Sequence, residues 1–213
     1  DFTQWFARHR AASRLTDPHA LFEEFQGVIT GPATDHPYLS REAYLGLGIR
    51  QSIFAADERP HAYDLFEKYL AFLQANDYYD PNILSYHYMP LVEPRYDFVV
   101  VDEVQDLTTI QLQLILTALR EPHQFVLCGD ANQIVHPNFF SWSTLKRFFY
   151  EHDGRTGPAD LIRILHNNYR NAGTIIDLAN RVLTLKHARF GSVDRESNYL
   201  VHSTVETAGT VRL

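Results

Sequence analysis

Two acidic residues directly follow a short apolar run in the middle of the chain. Phe98–Val101 is apolar and β-branched, and it stops at Asp102 and Glu103. A carboxylate at the end of a strand can hold a magnesium ion, directly or through the water of the ion. A second, longer carboxylate can orient or deprotonate a water aimed at a terminal phosphate. An Asp-Glu pair alone often only begins a loop, so the neighbouring residues decide between these interpretations.

A second apolar run ends in the same way. Phe125–Cys128 stops at Gly129 and Asp130, and Gln133 follows shortly after. Glycine permits a sharp turn, which would bring Asp130 and Gln133 to the same edge as Asp102. The amide of Gln133 can contact both a phosphate oxygen and an attacking water. The two runs together predict a phosphate-hydrolysis site at the carboxyl ends of two strands.

A β-α-β unit is predicted to position these side chains. Continuous apolar runs of this kind are typical of strands that are buried on both faces. Thr108 or Thr109 is predicted to open the helix between them, which extends to Leu119. A third apolar run at residues 161–165 precedes a helix predicted over about residues 172–185, with Asn171 as its cap.

The first 95 residues have a different texture, in which helices are interrupted by proline and glycine. Asp17 and Pro18 precede a helical segment at residues 19–26, and Ser40 stands where it can cap a helix. Residues 61–76 carry apolar side chains at helical spacing. Eight of the twelve tyrosines lie in this part. They are predicted to form core and interface, and a groove for a nucleic-acid strand is the alternative.

Composition excludes several classes of protein. The 213 residues are 45% apolar, which is enough for a sizeable core. A net charge of −7 argues against a module that holds nucleic acid by bulk electrostatics alone. The single cysteine, Cys128, excludes a disulfide framework and is predicted to be buried. The eleven histidines form no metal-like cluster, and no apolar run approaches the length of a membrane span.

Three segments resemble motifs of one helicase family. Residues 102–106 read DEVQD, residues 129–133 read GDANQ and residues 168–170 read NYR. In this order they resemble motifs II, III and IV of superfamily 1 helicases of the UvrD/Rep type. The resemblance spans about residues 97–185. The helical part before it fits the segment that such enzymes insert ahead of motif II, by position and texture.

The resemblance implies a role for each matching side chain. Asp102 would coordinate Mg²⁺, and Glu103 would be the catalytic base. Gln133 would contact the terminal phosphate of ATP, with Asp130 among the nucleotide-binding residues of motif III. Arg170 would act as an arginine finger. The alternative for Arg170 is a surface arginine that pairs with a carboxylate.

The residues after motif III depart from the family pattern. The family places a tyrosine and soon a tryptophan there, and single-stranded bases stack on these rings. In this chain His136 replaces the tyrosine, and Trp142 arrives later. His136, Phe140 and Trp142 are predicted as base-stacking residues, and a place in the core is the alternative for Phe140 and Trp142.

The fold class implied by the resemblance is α/β. It comprises a partial RecA-like (P-loop NTPase) parallel sheet with helices, preceded by a mostly helical insertion. The predicted boundaries are 1–95 for the insertion, 96–158 for the second half of the first RecA-like core and 159–213 for the start of the second. The chain begins at Asp1 and ends on the strand-like residues 209–213, so we expect an internal part of a longer protein.

The expected function is that of an ATP-dependent DNA helicase with ATP and Mg²⁺ as cofactors. The expected partner is single-stranded or partly duplex DNA, with RNA as the open alternative, and no membrane. The expected location is intracellular, in the cytoplasm or with the nucleoid or nucleus. The 213 residues contain no G-x-x-x-x-G-K-S/T loop, so this part alone is expected to be inactive. The alternatives are a helicase-like scaffold without motor activity and another P-loop ATPase.

Overall fold

The structure is a computed structural model in which residues 2–10, 14–49, 51–134, 142, 145–146, 162–191, 199–205 and 209–210 are described. The chain forms two compact units, Asp1–Phe140 and Ser141–Leu213. Each unit combines helical structure with a small parallel sheet, so the α/β class is confirmed. The predicted boundaries after residues 95 and 158 stay predictions.

The first unit begins with helices, as predicted. Ser40 accepts a hydrogen bond from the backbone N–H of Ala43, so the predicted cap is confirmed. Asp17 also caps a helix, because it accepts hydrogen bonds from the backbone N–H groups of His19 and Ala20. The helices are α1 (Phe2–His9), α2 (Pro18–Glu23, continued by a π-helical segment over Glu24–Ile29), α3 (Arg41–Leu45), α4 (Arg59–Ala75) and α5 (Pro81–Tyr88).

An aromatic core joins these helices. The rings of Phe25 and Phe66 lie 5.2 Å apart between centroids, and those of Tyr63 and Phe66 lie 5.6 Å apart. Such ring pairs contribute about 0.5–1.5 kcal/mol beyond their buried area. The prediction that the aromatic residues of this part form core is confirmed for the buried ones, which are Trp5, Phe6, Phe25, Tyr44, Phe54, Tyr63, Phe66 and Tyr69.

A fully buried carboxylate lies within this core. Glu24 is 0% exposed, and its Oε1 accepts hydrogen bonds from the hydroxyls of Tyr44 (2.7 Å) and Ser52. Its Oε2 accepts one from the backbone N–H of Ile53 at 2.9 Å. Burial, together with the Glu24 carboxylate, raises the pKa of the Tyr44 phenol above its ordinary value of 10.0.

The raised pKa of Tyr44 predicts a loss of stability in alkali. Above pH about 10 the unfolded chain releases the phenol proton while the folded chain keeps it, so the free energy of unfolding falls as pH rises. The slope for one such group is about 1.4 kcal/mol per pH unit. Chemical unfolding at a series of alkaline pH values should show a shallower slope for Tyr44→Phe. Tyr79→Phe, at a 76% exposed tyrosine, is the control and should leave the slope unchanged.

A β-α-β unit follows the helices, as predicted. Strand β1 (Val99–Val101) pairs in parallel with β2 (Phe125–Leu127), and α6 (Thr109–Thr117) lies between them in the chain. Thr108 caps α6, and the side chain of Gln111 accepts a hydrogen bond from the backbone N–H of Thr108 at 3.2 Å. Such a capping box satisfies donors that a helix start leaves unpaired.

The predicted burial of these strands on both faces is wrong. Val101 is buried at 8% exposure, whereas Val100 is 65% and Val126 46% exposed. Successive side chains of a strand point to opposite faces, and among the described residues protein covers mainly the face that carries Val101. Cys128 is exposed rather than buried, so that prediction is also wrong.

A buried amide connects the helices to α6. The Nδ2 of Asn82, on α5, donates to the backbone oxygen of Gln26 and to the hydroxyl of Thr30, both at 2.9 Å. The hydroxyl of Thr108 donates to the Oδ1 of Asn82 at 2.7 Å. Asn82 is 0% exposed. The start of α6 is therefore fixed to the helical part by buried hydrogen bonds.

The second unit contains a second parallel pair. Strand β3 (Asn167–Ala172) pairs with β4 (His202–Val205), and α7 (Gly173–Phe190) follows β3. The helix was expected, but it begins after Ala172 and without a cap from Asn171. Residues 162–166 form no regular element, so the third apolar run does not form a strand there. Within the described ranges, no helix has the length and apolar character needed to cross a membrane.

Candidate phosphate-hydrolysis site

The carboxyl ends of β1 and β2 bring four predicted site residues to one sheet edge. Asp102 and Glu103 follow β1, and Asp130 and Gln133 follow β2. The strand ends stay connected because the N–H of Cys128 donates to the oxygen of Val101 at 2.8 Å. The N–H of Val104 in turn donates to the oxygen of Cys128 at 2.9 Å. The predicted juxtaposition is therefore present.

The acidic pair itself is exposed at this edge. Glu103 has the left-handed backbone conformation, with φ of 52°, and its N–H donates to the Oδ1 of Asp102 at 2.9 Å. The other oxygen of Asp102 accepts no hydrogen bond from the described residues. A carboxylate oxygen is the kind of ligand that Mg²⁺ prefers.

Gln105 connects the two strand ends. It is only 2% exposed. Its Nε2 donates to the Oε2 of Glu103 at 2.7 Å, and its Oε1 accepts from the backbone N–H of Asp130 at 3.0 Å. Gln105 was not among the predicted site residues, although its position inside the DEVQD run could have identified it.

Gly129 is required for close packing against this amide. A Cβ at position 129 would lie 2.5 Å from the Oε1 of Gln105 and 2.8 Å from the Cγ1 of Val104. The backbone of Gly129 does not have a positive φ. The close approach of the two strand ends is therefore what requires a glycine here, and the turn itself follows at residues 130–133.

Asp130 positions Gln133. Its Oδ1 accepts from the backbone N–H of Asn132 at 2.9 Å, and its Oδ2 accepts from the Nε2 of Gln133 at 3.0 Å. The backbone N–H of Gln133 donates to the oxygen of Asp130 at 2.9 Å. Both carboxylate oxygens of Asp130 thus stabilise its own turn, and the exposed Gln133 side chain is held by one end of its amide.

Arg170 lies in the second unit, on β3. Its backbone N–H and that of Asn171 donate to the Oδ1 of Asn168, at 2.9 and 2.8 Å. Among the residues that the structure describes, no carboxylate forms an ion pair with the exposed Arg170 guanidinium. The surface ion pair that was the alternative is therefore not seen there. The arginine-finger role stays a prediction.

The three predicted base-stacking residues remain predictions. His136 and Phe140 lie outside the described residues. Trp142 is described, belongs to the second unit and is half-buried.

The acidic edge is compatible with a magnesium ion shared with a substrate. No group of three or more His, Cys, Asp or Glu residues that could hold a metal is found within the described ranges. Mg²⁺ usually keeps several waters and is bound by one or two carboxylates together with phosphates. The exposed Asp102 carboxylate, with its second oxygen open, fits this mode of binding.

Comparison with known protein families identifies the class. Residues 45–142 match the model of the UvrD/REP helicase N-terminal domain. This match contains β1, α6, β2 and four site residues: Asp102, Glu103, Asp130 and Gln133. The chain therefore carries a helicase-type segment. The resemblance is confirmed, and the segment is that of a UvrD-like helicase.

Two of the similar proteins are named as helicases, and a third is named for its repeats. The chain is 33% identical over 97 residues to ATP-dependent DNA helicase UvrD2 of Mycobacterium tuberculosis, and the aligned region is 46% of this chain and 13% of UvrD2. It is 25% identical over 173 residues to ATP-dependent DNA helicase Rep of Escherichia coli, and this region is 78% of this chain and 24% of Rep. It is 24% identical over 187 residues to human TPR and ankyrin repeat-containing protein 1, and this region is 79% of this chain and 6% of that protein.

Proposed function

We propose that the full-length protein is an ATP-dependent DNA helicase or translocase, which couples hydrolysis of Mg²⁺-ATP to movement on single-stranded DNA. The observation that carries this proposal is the edge where Asp102 and Glu103 lie beside Asp130 and Gln133, inside the region that matches the helicase family. The names of the UvrD2 and Rep relatives, both ATP-dependent DNA helicases, support it.

Each side chain has a definite task in this proposal. Glu103 takes the proton of the water that attacks the terminal phosphate. Gln133 contacts that phosphate and orients the water, with its amide held by Asp130. Asp102 holds the Mg²⁺ ion, which would neutralise negative charge on the phosphates. Arg170 stabilises the charge that develops in the transition state.

The proposal also includes the fold and the setting of the site. The β-α-β unit is part of a RecA-like sheet, and the second unit begins a second RecA-like domain. The 213 residues contain no phosphate-binding G-x-x-x-x-G-K-S/T loop, so we expect no ATP turnover by this part alone. The proposed partner is single-stranded or partly duplex DNA, and the proposed location is inside the cell, where DNA is found.

A second candidate is a helicase-like scaffold without motor activity. The observation that favours it is the match of 79% of this chain to a protein named for its TPR and ankyrin repeats. Repeats of these kinds form extended binding surfaces. The motor is preferred because Asp102, Glu103, Gln133 and Arg170 are all present at their motif positions.

The ATPase activity of the purified full-length protein distinguishes the two candidates. With Mg²⁺ and ATP, single-stranded DNA should raise the rate of phosphate release, and chelation of Mg²⁺ should abolish it. The 213-residue chain, assayed in parallel, should release no phosphate above background. A folded full-length protein without DNA-stimulated turnover would favour the scaffold, and turnover by the 213-residue chain would contradict the expected inactivity.

A further inference from the structure

We propose that Gln105 is a positioning residue, which orients the Glu103 carboxylate and links it to the turn that holds Gln133. This inference rests on the proposed function, because it concerns the base of the same hydrolytic site. Gln105 reaches the base through a hydrogen bond between side chains and reaches the Asp130 turn through a hydrogen bond to the backbone.

The burial of Gln105 indicates a specific role for its amide. The side chain is only 2% exposed, and the preceding Val104 is 1% exposed. A buried amide must have hydrogen-bond partners at both ends, because an unpaired buried polar group costs about 1–3 kcal/mol. One end of Gln105 donates to Glu103 and the other accepts from Asp130. The amide therefore has a defined orientation, with the donor end towards the carboxylate.

The space around Gln105 restricts it to this position. A Cβ on Gly129 would come within 2.5 Å of the Gln105 Oε1, so the second strand end approaches the amide as closely as a glycine permits. The Gln105 side chain cannot move towards β2 without meeting this backbone. Close packing on one side and hydrogen bonds at both ends fix the donor that faces Glu103.

The Glu103 side chain needs such a contact because it is otherwise free to rotate. Glu103 is exposed, and no cation among the described residues pairs with it. A neutral amide orients the carboxylate without the full charge of a lysine or arginine, so the carboxylate stays available as a base. The two segments of this edge also carry the ionisable residues Asp102, Asp106, Cys128 and Asp130.

The link also couples two catalytic tasks. The turn whose N–H donates to Gln105 is the turn whose carboxylate holds the Gln133 amide. A movement of Gln133 on contact with the terminal phosphate would therefore be transmitted to Glu103 through the Asp130 turn and the buried Gln105 side chain.

Two substitutions at position 105 of the full-length protein test the proposal. Gln105→Leu removes both hydrogen bonds, and we expect kcat to fall about 10- to 100-fold with the KM for ATP nearly unchanged. Gln105→Glu keeps an oxygen for the N–H of Asp130 but places a second acid against Glu103. Because this variant has no amide donor to face Glu103, its kcat should also fall, with the KM for ATP nearly unchanged. Gln113→Glu, on α6 away from the edge, should keep the wild-type kcat.

The outcomes separate this inference from the proposed function. A wild-type kcat for Gln105→Leu or for Gln105→Glu would overturn the positioning role. If Gln105→Leu fails to fold, a lowered kcat of Gln105→Glu with an unchanged KM supports the role, and a wild-type kcat refutes it. The proposed function fails separately, if the folded wild-type full-length protein shows no DNA-stimulated ATP turnover.

Discussion

Glu103→Gln should lower the DNA-stimulated ATPase rate of the full-length protein by about 10²- to 10⁴-fold, the usual contribution of a general base. The substitution keeps the size of the side chain and still offers an oxygen to the Nε2 of Gln105, which donates to Glu103 at 2.7 Å. The fold of the edge should therefore persist while the base is lost. Steady-state phosphate release measures the rate, and equilibrium binding of ATP with Mg²⁺ should change little.

A matched control separates loss of the base from loss of a negative charge. Glu121→Gln makes the same chemical change at an exposed residue between α6 and β2, and it should retain the wild-type rate. If Glu103→Gln also retains that rate, Glu103 is not the base and another group must activate the water.

Glu24→Ala should lower the free energy of unfolding of the 213-residue chain by about 3–5 kcal/mol. The substitution leaves the hydroxyls of Tyr44 and Ser52 and the N–H of Ile53 without their acceptor. Arg59, which is 2% exposed, holds the same loop by donating to the backbone oxygens of Leu47, Gly48 and Phe54. The buried side chains of Glu24 and Arg59 thus hold the loop between α3 and α4 by hydrogen bonds.

Urea unfolding followed by circular dichroism measures this effect. Glu93→Ala is the control, because Glu93 is exposed and forms only a 3.6 Å surface ion pair with Arg95. Such pairs contribute about 0–1 kcal/mol. Equal losses for Glu24→Ala and Glu93→Ala would show that the buried carboxylate does not stabilise the unit.

Local signals predicted the helices well. The helix starts at Ser40 and Thr108 were visible in the sequence, because a cap depends on one side chain and the next few backbone N–H groups. The β-α-β unit was also predictable, because two apolar runs stop at polar residues on either side of a helical segment.

Strand positions were less predictable where pairing decides them. Residues 162–165, three of which are apolar, form no strand, whereas the mostly polar residues of β3 do. They are held to β4 by backbone pairing and by Ser203 and Thr204, whose hydroxyls donate to backbone oxygens of β3. Hydropathy does not report such pairing. Hydropathy also wrongly predicted that Val100 is buried, because the exposure of a strand face depends on which elements pack against the sheet.

The site was predictable to the level of the sheet edge and no further. The carboxyl ends of parallel strands place Asp102 and Asp130 together whatever lies between them. The link through Gln105 depends on a 3.0 Å contact across the pair of strands, which only the register creates. A role for an amide of this kind follows from its partners, and the sequence alone does not name them.

The left-handed backbone conformation of Glu103 means that the residue best for stability at this position differs from the residue that the proposed activity needs. Residues with a side chain pay a conformational cost for φ of 52°, and glycine and asparagine pay the least. Selection for a robust fold alone would therefore replace this glutamate, whereas selection for turnover would retain it. Design for thermostability that scores only the folded state would remove the residue on which the proposed chemistry depends.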